Sequence, residues 1–417
     1  MTHRRLKTGY FIVEGLNSFA TTYFFCYFYF LMHARFGFED EANLALAALN
    51  GLVYMAASWW GGRFAQRAGY FTALKLGFAI MLGAWLEGAQ LESRAGLIVV
   101  MAVADAGMCL TWPAIEALVS EGESPAGLQR MVGTYNVTWA GTGALAYFTG
   151  GAMLEKLGTS SLFYFPAGLV MFQLALVLWL QSQARRVHPP AVPAASTAAL
   201  PEPHRPGPAK ARAFLRMAWL ANPFAYIAIN TLLAVMPGLA ARLNLSPMLA
   251  GFCGSVWCFA RLAAFFVLWL RPGWHYRFRW LVTSFLLLIG TFALIVMVPV
   301  LTVLVAAQLV FGGALGLIYY SSLFYSMDVG ETKSEHGGIH EAAIGLGNFA
   351  GPTVGAMSLH FLPQFRSSGA VAVTVLLSCG LGGLLGIWSK ARRSAAKTAE
   401  GATAAGIAGK FPGKSSG

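Results

Sequence analysis

Ionisable side chains are scarce inside the long apolar stretches of this sequence, and the few that occur there are the first candidates for chemistry. Asp105 and Arg261 stand deepest, ten to fourteen residues into their apolar runs. At 1.5 Å per residue, Asp105 lies roughly 15 Å from the start of its run. A charge at that depth is costly in hydrocarbon unless it is paired or faces water. The two are expected to pair across a wet crevice or to anchor a ligand; the alternative is that backbone, Thr or water satisfies each in its own surroundings. An ionised carboxyl is expensive there and a protonated one is not, which makes Asp105 the candidate proton carrier. Glu14, Asn17 and Thr21 follow at i, i+3 and i+7, one face of a helix that should meet protein or water. Glu14 and Glu116 are shallower. They are expected to share a vestibule, with a coupling role or a simple capping role, and Glu116 has Arg67 as an alternative partner. His340 and Glu341 open another apolar run. A carboxylate is favoured at a helix N-terminus, and His340 could serve a pH-sensitive gate. No ligand follows at i+4 of His340, so no metal is expected. Asn136, Trp139, Asn230 and Asn348 can hydrogen-bond a polar solute, and Trp112, Tyr319 and Tyr320 can stack on it; the same residues can equally serve as interhelical contacts.

The elements that must position these residues follow from composition. Of 417 residues, 57% are hydrophobic and 11% charged, with 47 Gly and 30 Phe. A soluble domain carries about 25% charged residues, so a soluble enzyme, a disordered chain and a disulfide scaffold are excluded. The five cysteines fall inside apolar runs without metal or redox spacing, as buried fillers. Twelve apolar windows occur, at 10–33, 43–61, 70–91, 95–119, 130–154, 160–183, 217–241, 247–270, 280–299, 301–326, 338–362 and 369–389. Each predicts a helix, because only a helix satisfies its own backbone in lipid without closing into a barrel. The first window carries Glu14 and Asn17 and lacks a cleavage site, so it is taken as a retained helix. An even count puts both termini on one side. With that side cytoplasmic, 23 of the 29 Lys and Arg fall on it and five opposite, as the positive-inside rule requires. The net charge of +12 thus reflects topology and not a nucleic-acid partner. From Pro189 to Pro208 there are seven prolines in twenty residues, a tether between two sets of six spans. The expected units are a six-helix bundle at 1–185, a cytoplasmic Pro-rich linker at 186–216, a second bundle at 217–390 and a disordered basic tail at 391–417.

The two sets echo each other at an offset of 205: Gly107 with Gly312, Gly133 with Gly338, Gly150 with Gly355. Duplicated six-helix bundles place a solute site between the halves near the bilayer midplane. Here the chain resembles the major facilitator superfamily over residues 10–390. The loop between the second and third spans runs Gly62-Arg63-Phe64-Ala65-Gln66-Arg67-Ala68-Gly69-Tyr70-Phe71. Gly62, Arg67 and Gly69 match the family's Gly-x-x-x-Asp-Arg-x-Gly-Arg-Lys, while Gln66 replaces the acid and Tyr70-Phe71 the basic pair. The resemblance implies a cytoplasmic latch at this loop, here weaker or built differently. The run from Gly347 to Ala356, with Gly351 and Pro352, nearly matches the family's Gly-x-x-x-Gly-Pro-x-x-Gly-Gly and speaks for close helix packing.

The fold class expected is all-α, twelve transmembrane helices in two pseudo-symmetric bundles. The function expected is secondary active transport in the inner or plasma membrane by rocker-switch alternating access, both termini cytoplasmic. No phosphate-binding Gly-x-x-x-x-Gly-Lys-Ser/Thr occurs, so a gradient must drive it. The expected partners are a small-molecule solute, a proton as coupling ion and the lipid bilayer, with a monomeric chain and no cofactor. A polar solute such as a sugar is favoured, and efflux of lipophilic compounds is the alternative. A polytopic membrane enzyme would need a convergent nucleophile or metal that the loops do not offer, and a sensor would bind without moving its solute.

Overall fold

The computed structural model describes residues 3–123, 125–186, 207–329 and 333–408. The first half consists of α1 (His3–Phe36), α2 (Asp40–Ala68), α3 (Tyr70–Gly88), α4 (Arg94–Ser120), α5 (Pro125–Leu157) and α6 (Ser161–Ala184). The second consists of α7 (Pro208–Arg242), α8 (Pro247–Gly254), α9 (Val256–Leu270), α10 (Phe278–Met297), α11 (Leu301–Val329), α12 (Lys333–Phe361) and α13 (Ser368–Ala408). Every apolar window falls, to within three residues at its ends, inside a helix or, for the eighth span, inside the pair α8–α9. Within the halves, α4 packs on α2 and α3 and α1 on α5 and α6, while α11 packs on α9 and α10 and α7 on α12 and α13. The halves meet along α2 with α12, α5 with α8 and α9, and α7 with α1 and α2.

Nine spans among the described residues are both long and apolar enough to cross a membrane, and α1, α5 and α12 are not among them. These three are long helices that carry Glu14, Asn17 and Thr21, Tyr135 and Asn136, and Glu341 and Asn348. Their lower apolarity is the cost of a polar face, and that face is turned inward: Glu14, Asn17, Ser18 and Thr21 are all buried.

Two segments differ from expectation. α7 begins at Pro208 rather than near 217, so 208–216 is helix and not linker. The reason is local: Ala alternates with Lys and Arg after a proline at the first helical position, where proline is pre-set for helix. α13 runs on to Ala408, so residues 391–408, expected to be disordered, are helical; their alanines favour helix over coil. The linker residues 187–206 and the last tail residues 409–417 lie outside the described residues.

The eighth span is broken at Ser255, and the cause is a side chain. A continuous helix would join the Trp257 amide to the Cys253 carbonyl. Instead Gln308 of α11 inserts between them: its Oε1 accepts from Trp257 N at 3.4 Å and its Nε2 donates to the Cys253 carbonyl at 2.9 Å. Such a break is tolerated in a membrane because a neighbouring helix satisfies the freed groups.

Glycines set the closest helix approaches. On α12 a Cβ at Gly347 would lie 2.3 Å from the Pro223 carbonyl oxygen, and one at Gly351 2.7 Å from that of Ile227, both on α7. The Gly351-Pro352 stretch is thus a packing face, as its small residues suggested. Gly69 joins α2 to α3 at φ 90, a conformation that favours glycine. Gly347→Ala is expected to lower stability by about 1–3 kcal/mol through overpacking, measured as thermal unfolding in detergent. Gly290→Ala, with nothing within 4 Å of the added carbon, should leave it unchanged.

Candidate functional site

A cavity of about 170 Å³ lies between the halves. From the first half, α2 contributes Tyr54, α4 Trp112 and Glu116, and α5 Tyr135, Asn136 and Trp139. From the second, α11 contributes Tyr319 and Leu323, and α12 contributes Glu341. Ser18 and Thr22 of α1 and Val132 of α5 complete the wall. The spacing explains the faces. Ser18 and Thr22, Trp112 and Glu116, and Tyr319 and Leu323 are i, i+4 pairs, while Val132, Tyr135, Asn136 and Trp139 run i, i+3, i+4, i+7.

The wall is held by its own hydrogen bonds. The Tyr54 hydroxyl donates to Glu341 Oε2 at 2.5 Å, a bond from one half to the other. The Trp139 indole N–H donates to Asn136 Oδ1 at 2.9 Å, and Ser18 Oγ donates to the Trp139 carbonyl at 2.7 Å. Trp139 also meets Tyr319 across the halves, ring centroids 5.4 Å apart, with Phe265 edge-on to it at 6.0 Å. Behind this wall the Arg261 guanidinium sits over two indoles, 4.6 Å from Trp139 and 4.8 Å from Trp257.

Three carboxyls gather here. Glu116 and Glu341 line the cavity and lie within electrostatic reach of each other. Glu14 is fully buried, close to Glu116 and within bonding reach of the Tyr135 hydroxyl. The expectation that Glu14 and Glu116 share a vestibule thus matches their placement.

Asp105 and Arg261 do not pair. Asp105 is fully buried in α4, neither of its oxygens has a hydrogen-bond partner, and it does not line the cavity. Arg261 is occupied by the two tryptophans. Asp105 sits near Tyr29 and Cys109, inside the first half, and the ring of Trp139 offers Arg261 a closer partner. Asn230 and Asn348 hydrogen-bond each other between α7 and α12 and are absent from the cavity wall. Asn17 donates to Thr111 Oγ1 at 3.1 Å, joining α1 to α4. Arg67 is exposed and does not meet the half-buried Glu116, and nothing lies within 4 Å of a Cβ added at Gly62 or Gly69. The side chain of His340 lies outside the described residues. Ser18, Thr22, Tyr54, Val132, Tyr135 and Leu323 are the cavity residues that sequence reasoning missed. The stripe from Val132 to Trp139 was the available signal for Tyr135.

Polar ties join the halves at the face opposite the chain termini. Arg242 Nη1 at the end of α7 meets Asp40 Oδ2 of α2 at 2.9 Å, and His360 Nδ1 at the end of α12 meets Glu41 Oε1 at 3.0 Å. The Met248 N–H of α8 donates to Glu155 Oε2 of α5 at 3.1 Å. Bonds from Ser246 and Met248 hold the Glu155 carboxyl below the usual carboxylate range. At the other face, Lys7 of α1 donates to the carbonyls of Val119 and Glu121, each at 2.7 Å, and pairs with Glu123 at 2.9 Å, tying α1 to the end of α4 within one half.

A family model, Major Facilitator Superfamily, matches residues 10–352. A search of curated proteins finds no match. Solved structures of like fold include the nucleoside transporter NupG, with TM-score 0.64, 14% identity, and 92% of this chain and 99% of that one covered. They also include a bacterial homologue of the human drug peptide transporters PepT1 and PepT2, with TM-score 0.67, 13% identity, and 94% and 100% covered. A third is the human organic anion transporter MFSD10, with TM-score 0.63, 15% identity, and 93% and 99% covered.

Glu341→Leu leaves the Tyr54 hydroxyl unpaired and is expected to cost about 1–3 kcal/mol in detergent unfolding. Asp105→Asn, which breaks no bond, should not destabilise. Arg242→Gln should open the face opposite the termini. An exposed pair is worth up to about 1 kcal/mol, so alkylation of Thr22→Cys from that face, in a background without the native cysteines, should quicken up to about fivefold.

Proposed function

The chain belongs to the major facilitator superfamily and is an integral membrane transporter, not an enzyme; from that premise we propose that it moves a small polar solute by rocker-switch alternating access, coupled to protons. The observation that carries this reading is the central cavity, whose wall is built from both halves and whose carboxyls face each other across their boundary. Ties at the face opposite the termini support a state closed on that side. The Lys and Arg distribution supports cytoplasmic termini in an inner or plasma membrane, and a cavity lined within one chain supports a monomer.

Glu116 and Glu341 are better placed than Asp105 to carry the proton, because they line the cavity and Asp105 does not. In an alternating cycle they hold a proton when the site faces one side and release it on the other, and Tyr54 follows Glu341 between bonded and free positions. The sugar preference finds little support in the wall: Asn136 Oδ1 is taken by Trp139, and Asn230 and Asn348 are bonded to each other. Two carboxyls in a small cavity do not favour lipophilic efflux either.

Spin labels at Thr159→Cys and Gln364→Cys report the face opposite the termini, and labels at Ala68→Cys and Gly273→Cys report the other. In liposomes, acidification is expected to change the two distances in opposite senses. Two distances that stay single-valued at all pH would overturn alternating access.

A further inference from the structure

We propose that the solute is a small organic cation, a protonated or quaternary amine whose charge rests against Glu116 and Glu341 while its carbon atoms lie against Trp112, Trp139 and Tyr319. This names the substrate class of the site above and rests on the transporter reading.

The charge balance of the wall is the first ground. Two carboxyls line the cavity, a third stands fully buried close to Glu116, and among the described residues no basic side chain lines it. Arg261, the nearby cation, does not line the cavity and rests against two indole faces. The carboxyls therefore call for a countercharge that the described residues of the wall do not supply, either a proton or the solute. Among the described residues no three such side chains are grouped closely enough to hold a metal ion, so a compact metal cation is disfavoured.

The donors are the second ground. Tyr54 gives its proton to Glu341, the Trp139 indole N–H goes to Asn136, and Ser18 goes to the Trp139 carbonyl. With these donors spent inside the wall, carboxylate oxygens and aromatic faces stand open to a ligand beside the amide N–H of Asn136 and the indole N–H of Trp112. An anion would meet two carboxyls and, among the described residues, no basic side chain in the wall. Ring faces carry negative potential and attract an alkylated ammonium. The volume of about 170 Å³ equals roughly six waters at ~30 Å³ each, which suits a compact amine. A cation at Glu341 also competes with Tyr54 for the carboxylate, and so loosens a bond that joins the halves.

The test uses the purified full-length chain in detergent. Thermal unfolding is followed with choline and tetramethylammonium, with 3,3-dimethylbutan-1-ol as the uncharged shape-mimic of choline, and with glucose, acetate and sodium chloride at equal concentration. The cations are expected to raise the unfolding temperature in a saturable way, and the other solutes to leave it unchanged. Glu116→Gln and Glu341→Gln should each weaken the cation response at least tenfold while unfolding near the parent temperature. Tyr54→Phe should strengthen that response, which a purely structural tyrosine would not do. An equal response to the uncharged mimic, a response to glucose or acetate alone, or no response to either cation would overturn the proposal. If the spin-label distances still alternate in that event, only the solute class fails; if they do not, the transporter reading fails with it.

Discussion

Hydrocarbon offers no partner to a polar group, and this single constraint organises the molecule. Each carboxyl or amide within a span must be turned toward another helix or toward a water-filled space. The three helices least suited by composition to lipid, α1, α5 and α12, are therefore the ones that bring polar residues to the boundary between the halves. Glu14 and Ser18, Tyr135 and Asn136, and Glu341 come from separate turns of separate helices and converge there. The cavity follows from the same rule that fills the rest of the interior with Phe, Leu and Gly.

Polar residues that do not reach the cavity are used as joints. Asn230 with Asn348 and Asn17 with Thr111 join neighbouring helices. Gln308 goes further and replaces a backbone bond of the eighth span, ending α8 about two turns before Arg261. The break shows how a half-satisfied helix persists at depth: one amide side chain supplies both the acceptor and the donor that the missing turn would have provided. Arg261 then meets two indoles in place of a counter-ion, an arrangement suited to a guanidinium because its flat face is weakly hydrated.

The two faces of the protein are held differently. At the face opposite the termini, exposed charges of α2 meet the ends of α7 and α12. Such pairs are individually weak, which suits contacts that must form and part. At the α2–α3 turn the acid and the distal basic residues of the family pattern are missing, and Arg67 stands exposed. The charged ties between the halves thus lie at the other end of the molecule from the loop where the resemblance implied a latch.

Much of the fold was legible along the chain, because span count depends on apolar length alone. The windows from 10–33 to 369–389 each fall in helix, and the glycines at 347 and 351 were readable as close-packing positions. The ends were not legible: Pro208–Arg216 and 391–408 are helical by local propensity, which hydropathy does not register. The site was half legible. Trp112, Glu116, Asn136, Trp139, Tyr319 and Glu341 could be picked as polar or aromatic residues within spans, and all line the cavity. Tyr54 and the insertion of Gln308 could not, nor could the separation of Asp105 from Arg261. Depth along a helix can be counted from sequence, but the direction a residue faces depends on how each helix is rotated against its neighbours. That rotation is set by packing between residues far apart in the chain, such as Gly347 on Pro223 and Tyr54 on Glu341, so only the tertiary structure decides which charges meet.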